Sequence, residues 1–209
     1  MGADGSLRDL MGAIASGDDA RVDQLLADAP NLARAALGQG ASRSAAAANF
    51  LPQAGCYMYA GDTALHIAAT AYRADLCRRL IAAGAAVGAR NRRGATPLHH
   101  AADSHLDLAN WSPDRQAGTI AALAAAGADP NAVDGNGTTP LHRAIRTRGA
   151  AAVGALLAAG ADPAARTRNG STPRRLAAVS SGRGGSGSAQ AKAQQAEIVA
   201  LLERAGAPA

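Results

Sequence analysis

A nine-residue stretch decides the fold of this chain: Gly94-Ala95-Thr96-Pro97-Leu98-His99-His100-Ala101-Ala102. The pattern recurs at residues 61–69, at 137–145 and, in weaker form, at 170–178, so that its threonines are 33, 43 and 33 residues apart. An apolar string follows each copy and ends in the pairs Gly84-Ala85, Gly127-Ala128, Gly160-Ala161 and Gly206-Ala207. Two motifs that repeat together indicate an array of similar structural units.

The chemistry of the stretch predicts a short helix. Thr96 is a good N-cap residue, and Pro97 suits the first helical position, where no N–H is needed. Leu98, Ala101 and Ala102 give the helix a thin apolar face that permits close packing. Gly127 is suited to end a second helix in the left-handed conformation. Each unit is therefore predicted to be helix, turn, helix and hairpin finger, and neighbouring units are predicted to stack.

These two motifs resemble the ankyrin-repeat family, whose units carry Thr-Pro-Leu-His-x-Ala in the first helix and a Gly-Ala string after the second. The resemblance implies an all-α ankyrin-repeat solenoid. It covers four full repeats, expected at residues 61–93, 94–136, 137–169 and 170–209. Residues 1–60, with helical spacing of Leu7, Leu10, Met11 and Ile14, are expected to form an N-terminal capping repeat with an extended finger.

Three insertions interrupt the period. Residues 104–113 contain Trp111, the only tryptophan, and residues 180–192 are rich in glycine and serine; both are expected in the turn between the two helices of a repeat. Residues 38–57 are expected to lengthen the first finger. The last repeat also departs from the pattern, because Arg174-Arg175 replaces Leu-His and Glu203 replaces a leucine, which is tolerable only on an outer face.

Composition limits the other possibilities. Aromatic residues make up 2% of the chain, and the two cysteines, Cys56 and Cys77, are too few for a disulfide framework. There is no apolar run of about 18 residues, and the segment from Met1 to Asp9 lacks the features of a secretory signal. A cytoplasmic protein with reduced thiols is expected. The net charge is +5, and Lys192 is the single lysine beside twenty arginines.

Two patterns in the sequence could indicate a catalytic, metal-binding or nucleotide-binding site: the recurring histidines and a glycine-rich stretch. The signature histidines, His66, His99 and His142, have a structural, hydrogen-bonding role in the family that this chain resembles, and repeat spacing is too wide for them to share a metal ion. His100 and His105 lie near Asp103 and Asp107 in the sequence, but no cysteine or further histidine completes a zinc set. The glycines of residues 182–187 fit a dinucleotide fingerprint, although a helix precedes them instead of a strand. We therefore predict no catalytic residue, no cofactor and no metal site.

The resemblance implies a protein-binding module or scaffold whose concave face, made of fingers and inner helices, contacts an unidentified protein partner. Arginine suits carboxylate and phosphate alike, so both an acidic protein and, as the alternative function, a nucleic acid or phosphate ligand fit the arginine-rich fingers or the glycine-rich loop. A general compositional bias toward arginine explains the positive charge of the fingers as well as a binding role does. A monomer that does not bind membranes is expected.

The expected contact residues are the finger and inner-helix positions of the concave face: Tyr59, Asp62, Thr70, Arg92, Arg93, Ala95, Asp103, Asn136, Thr138, Arg146, Thr147, Arg168, Asn169 and Ser171. Trp111 and Arg183, in the two later insertions, are the candidates for a second surface. The alternative for Trp111 is a loop anchor that folds back over the apolar repeats.

Overall fold

The computed structural model describes residues 3–42, 45–105, 111–179 and 189–208. Within these ranges the chain is mainly α-helical. The helices are α1 (Ala3–Ser16), α2 (Asp19–Asp28), α3 (Ala64–Thr70), α4 (Ala74–Ala82), α5 (Pro97–Ala102), α6 (Pro113–Ala125), α7 (Pro140–Arg146), α8 (Ala150–Ala158), α9 (Pro173–Ala178) and α10 (Ala189–Arg204). Two short strands, β1 (Phe50–Leu51) and β2 (Cys56–Tyr57), form an antiparallel hairpin.

The helices stack in two layers. The inner layer runs α1, α3, α5, α7 and α9, each helix packing on the next, and the outer layer runs α4, α6, α8 and α10. Between them lies one continuous core of small and aliphatic side chains, in which Leu65, Leu98, Ile120, Leu141 and Leu156 are fully buried. This arrangement confirms the predicted all-α repeat solenoid.

The inner helices begin as their sequences predict. Thr139 is the N-cap of α7, its hydroxyl accepts a hydrogen bond from the backbone N–H of His142, and Pro140 occupies the first turn. In return, the Nδ1 atom of the His142 ring accepts the backbone N–H of Thr139 at 3.3 Å. Thr63–His66 and Thr96–His99 make the same backbone-to-ring bond, at 3.1 and 3.2 Å. The histidine takes the place that glutamate occupies in the usual capping box.

The same histidines connect neighbouring repeats. Because Nδ1 accepts a hydrogen bond, the ring proton lies on Nε2, which donates to a backbone carbonyl of the next repeat. His66 donates to Ala95 at 3.1 Å and His99 to Thr138 at 2.9 Å. His142 donates to Ser171 at 3.1 Å. Each ring therefore fixes both the start of its own helix and the position of the next finger.

Backbone hydrogen bonds join successive fingers. The N–H of Arg92 donates to the carbonyl of Ala60 at 2.7 Å, that of Gly135 to Arg93 at 2.8 Å, and that of Arg168 to Asn136 at 3.1 Å. Gly137 turns its finger with φ of +70°, and a Cβ atom there would lie 2.7 Å from the backbone nitrogen of Arg168. Only glycine permits both this conformation and this close approach.

The insertion at residues 38–57 folds back onto α1 instead of simply lengthening a finger. It contains the 3₁₀ turns Ala47–Asn49 and Pro52–Ala54 as well as the β1–β2 hairpin. Arg8 of α1 donates to the Oδ1 atom of Asn49 at 2.7 Å, and Ala41 and Ala54 are buried. The insertion is thus a packed part of the N-terminal end of the solenoid.

The later insertions lie where α5 passes to α6 and where α9 passes to α10. Of the first, residues 104, 105 and 111–113 are described; residues 180–188, with the glycine-rich stretch and Arg183, lie outside the described residues. In the last repeat, Arg174 forms an ion pair with Glu203 at 2.9 Å, so two residues that depart from the repeat pattern pair with each other. No helix among the described residues is both long and apolar enough to cross a membrane.

Replacing a signature histidine tests the link between repeats. His99→Ala removes the ring bonds to Thr96 and Thr138 and leaves buried backbone groups without partners, so we expect it to lower the free energy of unfolding by about 3 kcal/mol. Urea unfolding followed by circular dichroism measures the loss. The control is Glu197→Ala on the exposed side of α10, expected to change stability by less than about 0.5 kcal/mol. Equal effects of the two substitutions would contradict the linking role.

Candidate functional site

The candidate site is the surface formed by the fingers (residues 90–95, 133–138 and 166–171) and the inner helices α3, α5, α7 and α9; we call it the groove face. The fingers stand directly before the inner helices in the chain, and the histidine bonds described above hold each finger against the helix of the preceding repeat. Side chains of the groove face are therefore positioned by rigid elements, which suits a binding surface.

The structure divides the fourteen expected contact residues into three groups. The exposed members are Arg92, Arg93, Asn136, Arg146, Arg168 and Asn169. The partly exposed members are Tyr59, Asp103, Thr147 and Ser171. The buried members are Asp62, Thr70, Ala95 and Thr138.

The four buried residues do not present side chains to a partner, because they hold the groove face together. Asp62 accepts hydrogen bonds from the backbone of Tyr59 at 2.6 Å and from the amide of Asn91 at 2.8 Å. The Thr70 hydroxyl donates to the carbonyl of His66 at 3.0 Å. The backbone carbonyls of the other two, Ala95 and Thr138, accept the histidine bonds. We remove these four from the proposed contact surface.

Four arginines of the exposed group give the groove face its charge. Arg92, Arg93, Arg146 and Arg168 form no ion pair with any described carboxylate. Arg92 and Arg93 instead donate to neutral oxygens, the carbonyl of Ala41 and the hydroxyl of Tyr59. Their charges are thus available to a partner.

Arg143 is the main residue of the groove face that sequence reasoning left out of the contact set. Its guanidinium bridges two carboxylates, donating to Asp103 at 3.0 Å and to Asp134 at 3.1 Å. The pairing links α5, α7 and a finger, and it satisfies two acids whose side chains are largely buried, Asp134 more than Asp103. Hydrogen bonds from Asn136, Thr138 and Arg143 outweigh partial burial and hold the pKa of Asp134 below its usual value. Separations of 40 and 9 residues gave no sequence signal for this bridge.

A cavity opens at the N-terminal end of the groove face, between the β1–β2 hairpin and the inner helices. Its volume is about 190 Å³, and its lining includes Cys56, Tyr59, Thr70, Arg93, His100 and Arg143. A second, more open cavity of about 560 Å³ shares Tyr57, Tyr59 and Arg93 with the first. The insertion at residues 38–57 therefore shapes one end of the groove face, which the repeat pattern alone did not predict.

A buried cluster of Asp62, His66 and His100 lies behind the smaller cavity. The Oδ1 atom of Asp62 is 3.9 Å from Nε2 of His66 and 3.8 Å from Nε2 of His100. The sequence suggested neighbours for His100 in His105, Asp103 and Asp107. Asp103 and His105 line the same cavity as His100, and Asp107 lies outside the described residues. The structure also places His100 beside Asp62 and His66 of the preceding repeat. Stacking of α3 on α5 produces this proximity, which spacing along the chain does not reveal.

The hydrogen bonds of this cluster do not suit a metal ion, although its candidate ligand atoms lie within 4.8 Å of one another. Both ring nitrogens of His66 are engaged, Nδ1 with the backbone of Thr63 and Nε2 with the carbonyl of Ala95. Metal ligation by His66 would break the bond between two repeats. Burial lowers the pKa of His66 and, more strongly, that of His100, and it raises the pKa of Asp62. The two histidines are therefore neutral near neutral pH, and the cluster is best described as a hydrogen-bonded network.

Burial also suppresses the chemistry of the two thiols. The pKa of Cys56 rises to about 12, chiefly through burial, and that of Cys77 rises to about 12 for the same reason. A thiol acts as a nucleophile in its thiolate form. Both cysteines therefore remain protonated near neutral pH.

Trp111, for which the sequence left a second surface and a loop anchor open, is held against the solenoid. Its ring N–H donates to Oε1 of Gln116 at 3.0 Å, and the same oxygen accepts the hydroxyl of Ser104 at 3.1 Å. Gln116 is fully buried and donates to the carbonyl of Ala101. The tryptophan, half-buried, anchors the described end of its insertion to α5 and α6.

Comparison with known proteins agrees with the geometry. A family model for three copies of the ankyrin repeat matches residues 10–111, and a second model, for many copies of the ankyrin repeat, matches residues 123–177. No curated protein matches the chain.

The buried histidines predict a stability that falls with acid. Burial lowers the pKa of His99 to about 4, from an ordinary value of 6.5, and it also lowers the pKa of His66, His100 and His142. Between these values the unfolded chain binds protons that the folded chain does not, so the free energy of unfolding decreases as pH falls from 6.5 toward 4. His99 alone contributes about 3 kcal/mol to this decrease.

Asp62 is a single group with the opposite effect. Because its pKa is raised in the folded chain, its protonation makes the free energy of unfolding increase as pH falls. Urea unfolding at several pH values in this window measures the net effect. A free energy of unfolding that is constant or rises from pH 6.5 to pH 4 would show that the four rings are not buried as neutral groups.

Proposed function

The chain belongs to the ankyrin-repeat family, and we propose that it is a binding module that holds an acidic protein segment against its groove face and catalyses no reaction. Ankyrin repeats generally mediate interactions between proteins. The family models match 157 of the 209 residues in two blocks, residues 10–111 and 123–177, so ankyrin repeats make up most of the chain.

The observation that carries the proposal is the set of four exposed arginines on the groove face that lack a carboxylate partner. They come from different layers, with Arg92 and Arg93 in one finger, Arg168 in another, and Arg146 at the end of α7. The guanidinium group binds carboxylates through two parallel hydrogen bonds. A groove face of four layers can bury about 800 Å² on each partner, which is a standard interface.

An acidic protein fits this surface better than a nucleic acid does. The acids Asp103 and Asp134 lie within the groove face and interrupt a continuous basic path. Single-stranded nucleic acids also need aromatic rings along the path for base stacking. Tyr57 and Tyr59 are both at the N-terminal end, which leaves the other layers without such platforms.

The state of the polar side chains supports binding without catalysis. The signature histidines are buried, neutral and committed to backbone hydrogen bonds, and the two thiols have pKa values raised to about 12. A general base or nucleophile requires a pKa near the working pH and access to substrate. The groups that could act chemically are thus used to build the solenoid.

Reversing charge on the groove face tests the proposal. Arg146→Glu with Arg168→Glu leaves the buried network untouched, so the variant should fold but capture at least about tenfold less partner from a lysate of the source cells. The matched control is Arg21→Glu with Arg78→Glu on the exposed sides of the outer helices α2 and α4, which should capture as much as wild type. Quantitative mass spectrometry measures capture.

Two results would contradict this proposal. If both double variants capture the same partner equally well, the groove face is not the binding surface. If nuclease treatment removes the captured material, the partner is held through nucleic acid, and the alternative function is favoured.

A further inference from the structure

The larger cavity at the N-terminal end of the groove face is built by a segment that has no counterpart in the other repeats. Its walls are Ala41, Ser42, Ala46 and Tyr57 from the insertion, with Tyr59 beside it and Arg92 and Arg93 from the first full finger. With a volume of about 560 Å³ and an open mouth, the cavity has room for a side chain of a partner and part of its backbone. We call it the arginine pocket.

Arg92 and Arg93 both lie against one aromatic ring, that of Tyr59. Their guanidinium carbons lie 5.3 and 5.1 Å from the ring centroid of Tyr59, within range of a cation–π interaction. Arg93 also donates to the Tyr59 hydroxyl at 2.9 Å, and Arg92 donates to the carbonyl of Ala41. Because these contacts already order both side chains, a ligand that binds them loses less conformational entropy on their account.

The two guanidinium groups lack a counter-ion among the described residues. The one acid that lines the neighbouring small cavity is Asp103, and Arg143 already pairs with it. Two like charges on one ring repel each other, and an oxyanion placed between them would relieve the repulsion. Each guanidinium donates one hydrogen bond to a protein oxygen and has further N–H donors for an oxyanion.

An exposed aromatic pair lies next to the pocket. The rings of Phe50 and Tyr57, paired across the β1–β2 hairpin, are 4.9 Å apart, and these residues are 39% and 41% exposed. Tyr57 also lines the arginine pocket. An apolar surface beside an arginine pair is the combination that favours an acidic residue followed or preceded by an apolar one.

We propose that the arginine pocket binds an acidic residue of an extended partner peptide, with the peptide's neighbouring apolar residue lying against Phe50 and Tyr57. The shared chemistry is an oxyanion, supplied either by a carboxylate or by a phosphorylated side chain. The inference rests on the proposed function, to which it adds an anchor site and a recognised feature of the partner.

Short peptides test the pocket directly. The probe is the hexapeptide GGEFGG with blocked ends, added to the full ¹⁵N-labelled chain while the arginine Nε–H and backbone signals are recorded. Saturable shifts are expected at Arg92, Arg93 and Tyr59. Replacing the glutamate by glutamine should weaken binding at least about fivefold, and replacing the phenylalanine by glycine about threefold. Equal binding of the glutamine peptide would overturn the proposal.

Two further ligands identify the oxyanion. The same peptide with phosphoserine in place of glutamate keeps the proposal in either case, since the tighter of the two peptides shows whether phosphate or carboxylate is preferred. Inorganic phosphate alone should bind more weakly than either peptide. A single-stranded oligothymidine that binds the pocket more tightly than both peptides would overturn the proposal in favour of nucleic acid.

Matched variants distinguish specific binding in the arginine pocket from a general effect of positive charge on the surface. Arg92→Gln with Arg93→Gln should reduce affinity for GGEFGG at least about tenfold, whereas Arg166→Gln with Arg168→Gln, the same loss of charge in another finger, should change it less than about twofold. All four arginines are exposed, so both variants should keep the wild-type spectrum elsewhere. Phe50→Ala should weaken GGEFGG about threefold and leave the glycine-substituted peptide unaffected. Equal losses in the two arginine variants would refute a specific pocket.

Failure of the arginine pocket can be distinguished from failure of the proposed function by comparing capture of the cellular partner with binding of GGEFGG. If Arg146→Glu with Arg168→Glu abolishes capture of the cellular partner while Arg92→Gln with Arg93→Gln does not, the groove face binds but the arginine pocket is not its anchor. If capture is insensitive to both pairs while GGEFGG still binds at Arg92 and Arg93, the pocket stands, and the wider groove face is not the interface.

Discussion

A hydrogen bond from a buried, neutral histidine to the backbone of the next repeat is the interaction on which the rest of this structure depends. His66, His99 and His142 each accept the backbone N–H at the start of their own helix and donate to the following finger at 3.1, 2.9 and 3.1 Å. A repeat of this size cannot bury its apolar face alone, so its stability comes from its neighbours. The histidine makes that dependence directional, because it fixes where the next finger begins. The last repeat has Arg175 at the corresponding position.

Most of the fold could be predicted from the sequence because its determinants are local. The Thr and the two glycines of each unit, and the Pro of three of the four units, act within a few residues, and their recurrence gives the number of layers. The contact surface was less predictable, because exposure at a finger depends on what the neighbouring repeat places over it. Asp62 and Thr70 occupy expected groove positions yet are buried, since Asn91 and His100 of the next repeat pack on them. The pairings of Arg143 with Asp103, and of Arg174 with Glu203, join residues far apart in the chain and left no pattern to detect.

The structure of the insertion at residues 38–57 was also not predictable from the sequence, and this insertion matters more for the proposed binding function. Its composition gave no periodic signal, and its structure follows from contacts with α1, such as the bond from Arg8 to Asn49. Once packed, it places Tyr57 and Tyr59 beside Arg92 and Arg93 of a regular finger. The repeats therefore form a rigid scaffold, in which the histidines are neutral and Arg143 is paired with two acids. The distinctive binding features arise where the scaffold is interrupted.

Measuring the protonation state of the three signature histidine rings is the most direct test of the histidine link between repeats. Two-bond ¹H–¹⁵N correlation spectra of the imidazoles near neutral pH report which ring nitrogen carries the proton. The structure predicts that His66, His99 and His142 are neutral, carry the proton on Nε2, and protect it from exchange with water through the bonds to Ala95, Thr138 and Ser171. Rings that carry the proton on Nδ1, or that titrate near the ordinary value of 6.5, would contradict the central role given to the histidine link.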